Sequence, residues 1–120
     1  MTYVNTKNML REARLKGYAV GAFNIVDLSS MEAVVEAAVE KNSPVIIQTS
    51  QKTVEEMGLE MLPRLVRALS AGTPVPIAMN LDHGTDTRLI KRCVDYGWSS
   101  VMIDGSSRSY KENIEITGDI

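Results

Sequence analysis

Val75-Pro-Ile-Ala-Met-Asn-Leu-Asp-His-Gly84 is the stretch whose reading decides the fold. Its apolar part is short. It is preceded by Gly72-Thr-Pro74 and closed by Gly84, so residues 75–81 read as a buried strand rather than a helix segment. Asp82 and His83 follow directly, which puts a carboxylate and an imidazole side by side where the strand ends. His83 is the only histidine in the 120 residues. An Asp-His pair alone is more often a solvated surface pair than a site, and its weight comes from the chain around it.

Working outward, short β-rich runs alternate with longer runs of helical period. Upstream, Asn5 to Lys16 carries Met9, Leu10 and Ala13 at helical spacing, with Asn5 or Thr6 as cap. Tyr18 to Phe23 reads as a first strand. Ser29-Ser-Met-Glu32 has capping-box spacing and opens a helix carrying Met31, Val34, Val35, Ala38 and Val39 on one face. That helix ends near Lys41-Asn42, because Ser43 precedes Pro44 and is pushed off helical angles. Pro44 to Thr49 is the second strand, followed by a helix over Leu59 to Ala71 in which Pro63 implies a kink or a late start. Downstream, Asp86 to Tyr96 is helical and stops at Gly97, and Ser99 to Ile103 is a fourth strand. A last helix begins near Ser109, with Gly118 weakening its final turn.

Bulk properties exclude several classes. Hydrophobic residues at 44% and charged residues at 23% describe a globular chain, not a disordered one, and residues 1–120 fit one domain or part of a larger one. A net charge of −2 with scattered Lys and Arg offers no basic stripe for nucleic acid. No apolar run is long enough for a bilayer, and the first residues lack the apolar core of a signal peptide. One cysteine makes no internal disulfide, so a cytoplasmic setting is expected. Cys93 reads as a small buried hydrophobe, and Met31, Met57, Met61, Met79 and Met102 as core fillers.

Strand-helix alternation with continuous apolar strands means a parallel sheet covered by helices, either an open doubly wound sheet or a (β/α)8 barrel. The glycine-rich phosphate turn of a dinucleotide fold is missing after the first strand, where Phe23-Asn-Ile-Val-Asp27 stands. Polar groups close every strand: Asn24 the first, Gln48 and Ser50 the second, Asp82 and His83 the third, Asp104 and Ser106 the fourth. In a parallel barrel these converge on the C-terminal rim, so the barrel is favoured.

The Val75–Gly84 stretch, linked to Ser99-Ser-Val-Met-Ile-Asp-Gly-Ser106, resembles the class II, metal-dependent fructose/tagatose-bisphosphate aldolases. Tyr18-Ala-Val-Gly-Ala-Phe-Asn24, Ser43-Pro-Val-Ile-Ile-Gln48 and Glu112-Asn-Ile114 support the likeness, which runs over essentially the whole chain. It departs at Asn80, where many members carry a second histidine, and at the variable Ser107. The resemblance implies a (β/α)8 TIM barrel of which this chain covers about the first four βα units. It further implies zinc-dependent, reversible aldol cleavage of fructose or tagatose 1,6-bisphosphate to dihydroxyacetone phosphate and glyceraldehyde 3-phosphate, as in glycolysis. In that pattern Asp82 is the catalytic acid/base and His83 a zinc ligand. Asp104 is a further metal-binding carboxylate or a hydrogen-bond acceptor behind the ligand. Ser50 resembles the residue that touches the aldehyde-side phosphate, and Asn24 faces substrate or stabilises a turn. A phosphorylated ketose is the expected substrate, the full-length protein is expected to be a homo-oligomer, and neither nucleic acid nor membrane is an expected partner.

A catalytic zinc takes about three protein ligands, and a whole barrel takes roughly 250 residues. One histidine and one added carboxylate fall short of that set. The expectation is therefore an N-terminal portion of an aldolase, inactive alone. The alternatives are a self-associating noncatalytic half-barrel or one subunit of a split enzyme.

Overall fold

The computed structural model describes residues 2–120. Four strands, β1 (Gly21–Asn24), β2 (Val45–Thr49), β3 (Ile77–Gly84) and β4 (Ser100–Ile103), form one parallel sheet in the order β1-β2-β3-β4. Sequential order, with every strand beside the next, is that of a barrel wall and not of a doubly wound sheet, whose order reverses at a switch point. Helices α1 (Thr6–Lys16), α2 (Leu28–Glu40), α3 (Gln51–Met57), α4 (Met61–Ser70), α5 (Thr87–Tyr96) and α6 (Tyr110–Asp119) complete the fold.

Alternate residues of the strands serve two different environments. Val45 and Ile47 of β2 and Ile77, Met79 and Leu81 of β3 point outward into the main core. They pack there with Met31 and Val35 of α2, Val54 of α3, Leu62 and Val66 of α4, and Ile90 and Cys93 of α5. Ile46 and Ala78, on the opposite face, pack with Met9 of α1 in a separate small cluster. So α1 covers the start of the inner face, and the inner positions further along the strands are free to be polar.

Several helix boundaries differ from expectation. The box at the start of α2 is formed by Asp27 and Ser30: Asp27 accepts from the Ser30 N–H at 2.7 Å, and Ser30 Oγ accepts from the Asp27 N–H at 3.1 Å. Ser29 and Glu32 have the same spacing, but a carboxylate cap is the stronger acceptor at the positive end of a helix. Helix α3 was not expected. Ser50 opens it by accepting from the Thr53 N–H at 3.1 Å, and Gly58 closes it at φ 96°. Pro63 lies in the first turn of α4, where a missing N–H costs nothing, so the late start holds and no kink is needed. Strand β1 begins at Gly21 rather than Tyr18, because its only partner, β2, begins opposite it at Val45.

Met31 and Met79 are buried as expected, and Met57 packs against the core. Met61 and Met102 are not core: they are 49% and 40% exposed. Met102 lies two residues beyond Ser100 on the inner face, which no opposing strand covers. Both outer strands are unpaired on one side, and all of β1 is exposed. Among the described residues no helix is long and apolar enough to cross a membrane.

Candidate active site at the C-terminal end of the sheet

The register of β3 against β4 breaks between Leu81 and Gly84. A break of this kind re-aims side chains. Here it falls on Asp82 and His83, and His83 takes φ 49°, a left-handed conformation uncommon for a residue with a side chain. Gly84 is held tight beneath them: a Cβ there would stand 2.8 Å from Ile90 Cγ1 and 2.8 Å from the Met102 carbonyl oxygen. The Asp104 N–H donates to the Gly84 carbonyl at 2.7 Å, which ties the end of β4 to the break.

That tie brings Asp104 to His83. Nδ1 of His83 is 2.8 Å from Asp104 Oδ2, and a carboxylate only accepts, so Nδ1 carries the proton and, in the neutral ring, Nε2 presents a lone pair. Nε2 lies 3.8 Å from Asp82 Oδ1. The imidazole is 64% exposed, facing the open end of the sheet. Its pKa is raised above the ordinary histidine value, first by the hydrogen bond to Asp104 and then by the Asp82 charge. Asp104 is held well below the usual carboxylate range by Ser106, through its hydroxyl and backbone N–H, and by His83.

Two residues that sequence reasoning left out hold these loops. Gln51, the first residue of α3, accepts through Oε1 from the backbone N–H groups of Thr85 and Asp86, the latter at 2.8 Å. Asn113 of α6 donates through Nδ2 to the carbonyls of Gly105, Arg108 and Ser109 at 2.9, 3.3 and 3.0 Å. The space beside the Gly105 Cα is filled by the Asn113 amide, so that position takes no side chain. Gln51 lay outside every expected helix and gave no signal. Asn113 stood within one of the quoted supporting stretches.

Of the sequence-derived candidates, Asn24, Asp82, His83 and Asp104 are joined by direct contacts, with Asn24 Nδ2 donating to Asp82 Oδ2 at 3.0 Å. Ser50 closes β2 at the same end of the sheet, but its recorded partners are Thr53 Oγ1 and the Thr53 N–H, none of the other four. Cys93 is buried on the core-facing side of α5, and burial pushes its thiol up to about 11, which leaves it inert.

A zinc site can be tested against this donor set. An imidazole whose Nδ1–H is held by a carboxylate, with Nε2 turned outward, is the usual arrangement of a zinc histidine. No group of three or more His, Cys, Asp or Glu able to hold a metal is found among the described residues. The residues therefore fit as one oriented ligand of a shared site rather than as a complete one.

A sequential parallel sheet with two carboxylates and an imidazole gathered on its C-terminal rim defines a partial TIM-type barrel. The sequence profile described as fructose-bisphosphate aldolase class-II matches residues 4–120, and the chain belongs to that family. It is similar to a fructose-bisphosphate aldolase of Helicobacter pylori, 39% identical over 118 residues that make up 98% of this chain and 38% of that protein. It is also similar to a sulfofructosephosphate aldolase of Alkalicoccus urumqiensis, 38% identical over 98% of this chain and 41% of the relative. Among solved structures, the YdjI aldolase from Escherichia coli K12 superposes with a TM-score of 0.86 at 27% identity, over 98% of this chain and 46% of that one. The chain thus spans about two-fifths of the curated relatives it matches.

Proposed function

We propose that this chain supplies the proton-transferring residue and the first metal ligand of a zinc-dependent ketose 1,6-bisphosphate aldolase. The reaction is reversible cleavage of fructose or tagatose 1,6-bisphosphate to dihydroxyacetone phosphate and glyceraldehyde 3-phosphate. The observation that carries the reading is the Asp82–His83–Asp104 cluster, with His83 Nε2 left free and Asp82 beside it.

In this reading Asp82 accepts the proton of the C4 hydroxyl as the C3–C4 bond breaks, and returns it to the aldehyde oxygen in condensation. The electron pair of the broken bond stays with the dihydroxyacetone phosphate portion. His83 Nε2 would hold the zinc, and Asp104 orients the ring through Nδ1, which makes it a support for the ligand rather than a ligand. Bound zinc supplies Lewis acidity at the ketone oxygen. Ser50, at the end of β2, is assigned to the aldehyde-side phosphate, and Asn24 to Asp82 rather than to substrate, since its amide is taken up by Gln48 and Asp82. A cytoplasmic homo-oligomer is the expected setting. The remaining zinc ligands and phosphate-binding groups come from a complement to this half-barrel, on the same or a partner polypeptide.

The test uses the native polypeptide, isolated from its source and weighed intact. It is assayed on both bisphosphates and on sulfofructose phosphate, before and after chelation. Turnover should vanish with chelator and return with zinc. Asp82→Asn should lower kcat by roughly 10²- to 10⁴-fold, the usual share of a general acid/base. Undiminished turnover after complete metal removal would sink the reading.

A further inference from the structure

On the inner face of the sheet, one polar side chain from each strand stands on a single rung. Asn24 is registered with Gln48, Gln48 with Asn80, and Asn80 with Ser100. The four are hydrogen-bonded end to end. Ser100 Oγ donates to Asn80 Oδ1 at 2.7 Å, Asn80 Nδ2 to Gln48 Oε1 at 3.0 Å, and Gln48 Nε2 to Asn24 Oδ1 at 3.1 Å. Asn24 Nδ2 then donates to Asp82 Oδ2 at 3.0 Å. Every donor points the same way.

The terminus dictates that direction. A carboxylate has no proton to give, so Asn24 must offer its NH2 group and keep its carbonyl oxygen to accept. The same constraint passes to Gln48 and then to Asn80. It ends at the Ser100 hydroxyl, which can serve in either sense and here must donate. Turning the amide of Asn24 or Gln48 around sets oxygen against oxygen on one side and nitrogen against nitrogen on the other, so two bonds are lost together; turning Asn80 sets its oxygen against Gln48 Oε1 and loses that bond. Hydrogen bonds in such a series polarise one another, so the last donor depends on the first.

We propose that Ser100, Asn80, Gln48 and Asn24 act as one positioning chain for Asp82, holding Oδ2 engaged so that Oδ1 is the oxygen presented beside His83. The inference rests on the reading of Asp82 as the proton-transferring group and deepens it. Ser100, on the outermost strand, thereby acts on the site through three amides without touching it. A ladder that only stitched the sheet together would have no reason to end on Asp82.

The experiment takes the native protein with 15N in its asparagine and glutamine side chains and compares Ser100→Ala, Ser100→Thr and Asn80→Ala. Ser100→Ala and Asn80→Ala should both shift the Asn24 side-chain amide resonances. Ser100→Ala should also lower kcat roughly three- to tenfold while KM stays within about twofold, the pattern of a lost transition-state contribution. Ser100→Thr keeps the hydroxyl and should restore both readouts. Unmoved Asn24 resonances in Ser100→Ala, or equal losses of kcat in the alanine and threonine variants, would overturn the proposal. The resonance shift needs no turnover. A protein with no aldolase activity whose Asn24 signals still follow Ser100 would therefore retire the aldolase reading and leave the positioning chain standing.

Discussion

At the scale of single residues, the site turns on how His83 is held. Asp104 accepts from Nδ1 and the Asp82 carboxylate stands near Nε2, so the protonated ring is favoured and the pKa lies above the ordinary 6.5. For a histidine raised in the folded state, the stabilisation is fully present below the unfolded pKa and is lost as pH rises through the folded one. The same shift makes protons compete with metal at Nε2 over a wider acidic range, because zinc takes the neutral imidazole. With one histidine in the sequence, its proton NMR resonances are assigned without ambiguity. Titration of the metal-free chain should give a midpoint above 6.5, and Asp104→Asn should bring it down, since the larger of the two causes is removed. A midpoint that does not move would mean the contact is absent in solution. Asp82, His83 and Asp104 were all legible as candidates in the sequence. That Asp104 serves His83 was not legible, because it depends on the register break between Leu81 and Gly84 and on the Gly84–Asp104 backbone bond.

At the scale of elements, the strands were easier to read than the helices between them. Residues 45–47 and 77–79 are buried on both faces and so carry unbroken apolar runs, which a sequence displays directly. The segment of α3 is short and buries only Thr53 and Val54, too little apolar period to stand out, although Ser50 and Gly58 mark its two ends. At α2 the sequence rule of Ser or Thr followed three residues later by Glu or Gln picks Ser29–Glu32, whereas the box that forms, Asp27–Ser30, has a serine at the third position and so falls outside that rule. The junction of β3 and α5 yields a stability prediction. Gly84→Ala would press a Cβ against Ile90 Cγ1, which can rotate away, and against the Met102 carbonyl, which is backbone and cannot. Overpacking of this kind costs about 1–3 kcal/mol. Chemical denaturation should show a loss of that size, together with altered His83 resonances, because the break that aims His83 rests on Gly84. An alanine variant as stable as the parent would mean β4 shifts freely, and then Asp104 would not be held to the site.

At the scale of the molecule, the sheet is a wall with two open ends. Strand β1 leaves its outer edge unpaired, with Phe23 54% exposed, and β4 does the same beside the exposed Met102. An apolar groove lined by Tyr18, Phe23, Ala33, Val34, Ala37 and Ala38 runs along β1 and α2, away from the Asp82–His83 cluster. Helix α6 buries none of its side chains and displays Tyr110 and Ile114. In a closed barrel, further strands would cover both edges, a ring of helices would cover the outer face, and the inner face would line the barrel interior. The family's fold was legible from linked motifs, and these open surfaces follow from it only once the strands are seen in order. Unpaired edges and apolar faces of this kind promote association. The isolated 120-residue chain should therefore sediment as concentration-dependent oligomers, and Phe23→Lys should shift the distribution toward monomer by charging the β1 edge. It should also show no aldolase turnover at any zinc concentration, since the described residues assemble no group of three or more metal-binding side chains. Both measurements bear on the same question. A stable, monodisperse monomer would mean the wall needs no complement, whereas association without turnover is what a half-barrel does when its own edges are the only partners present.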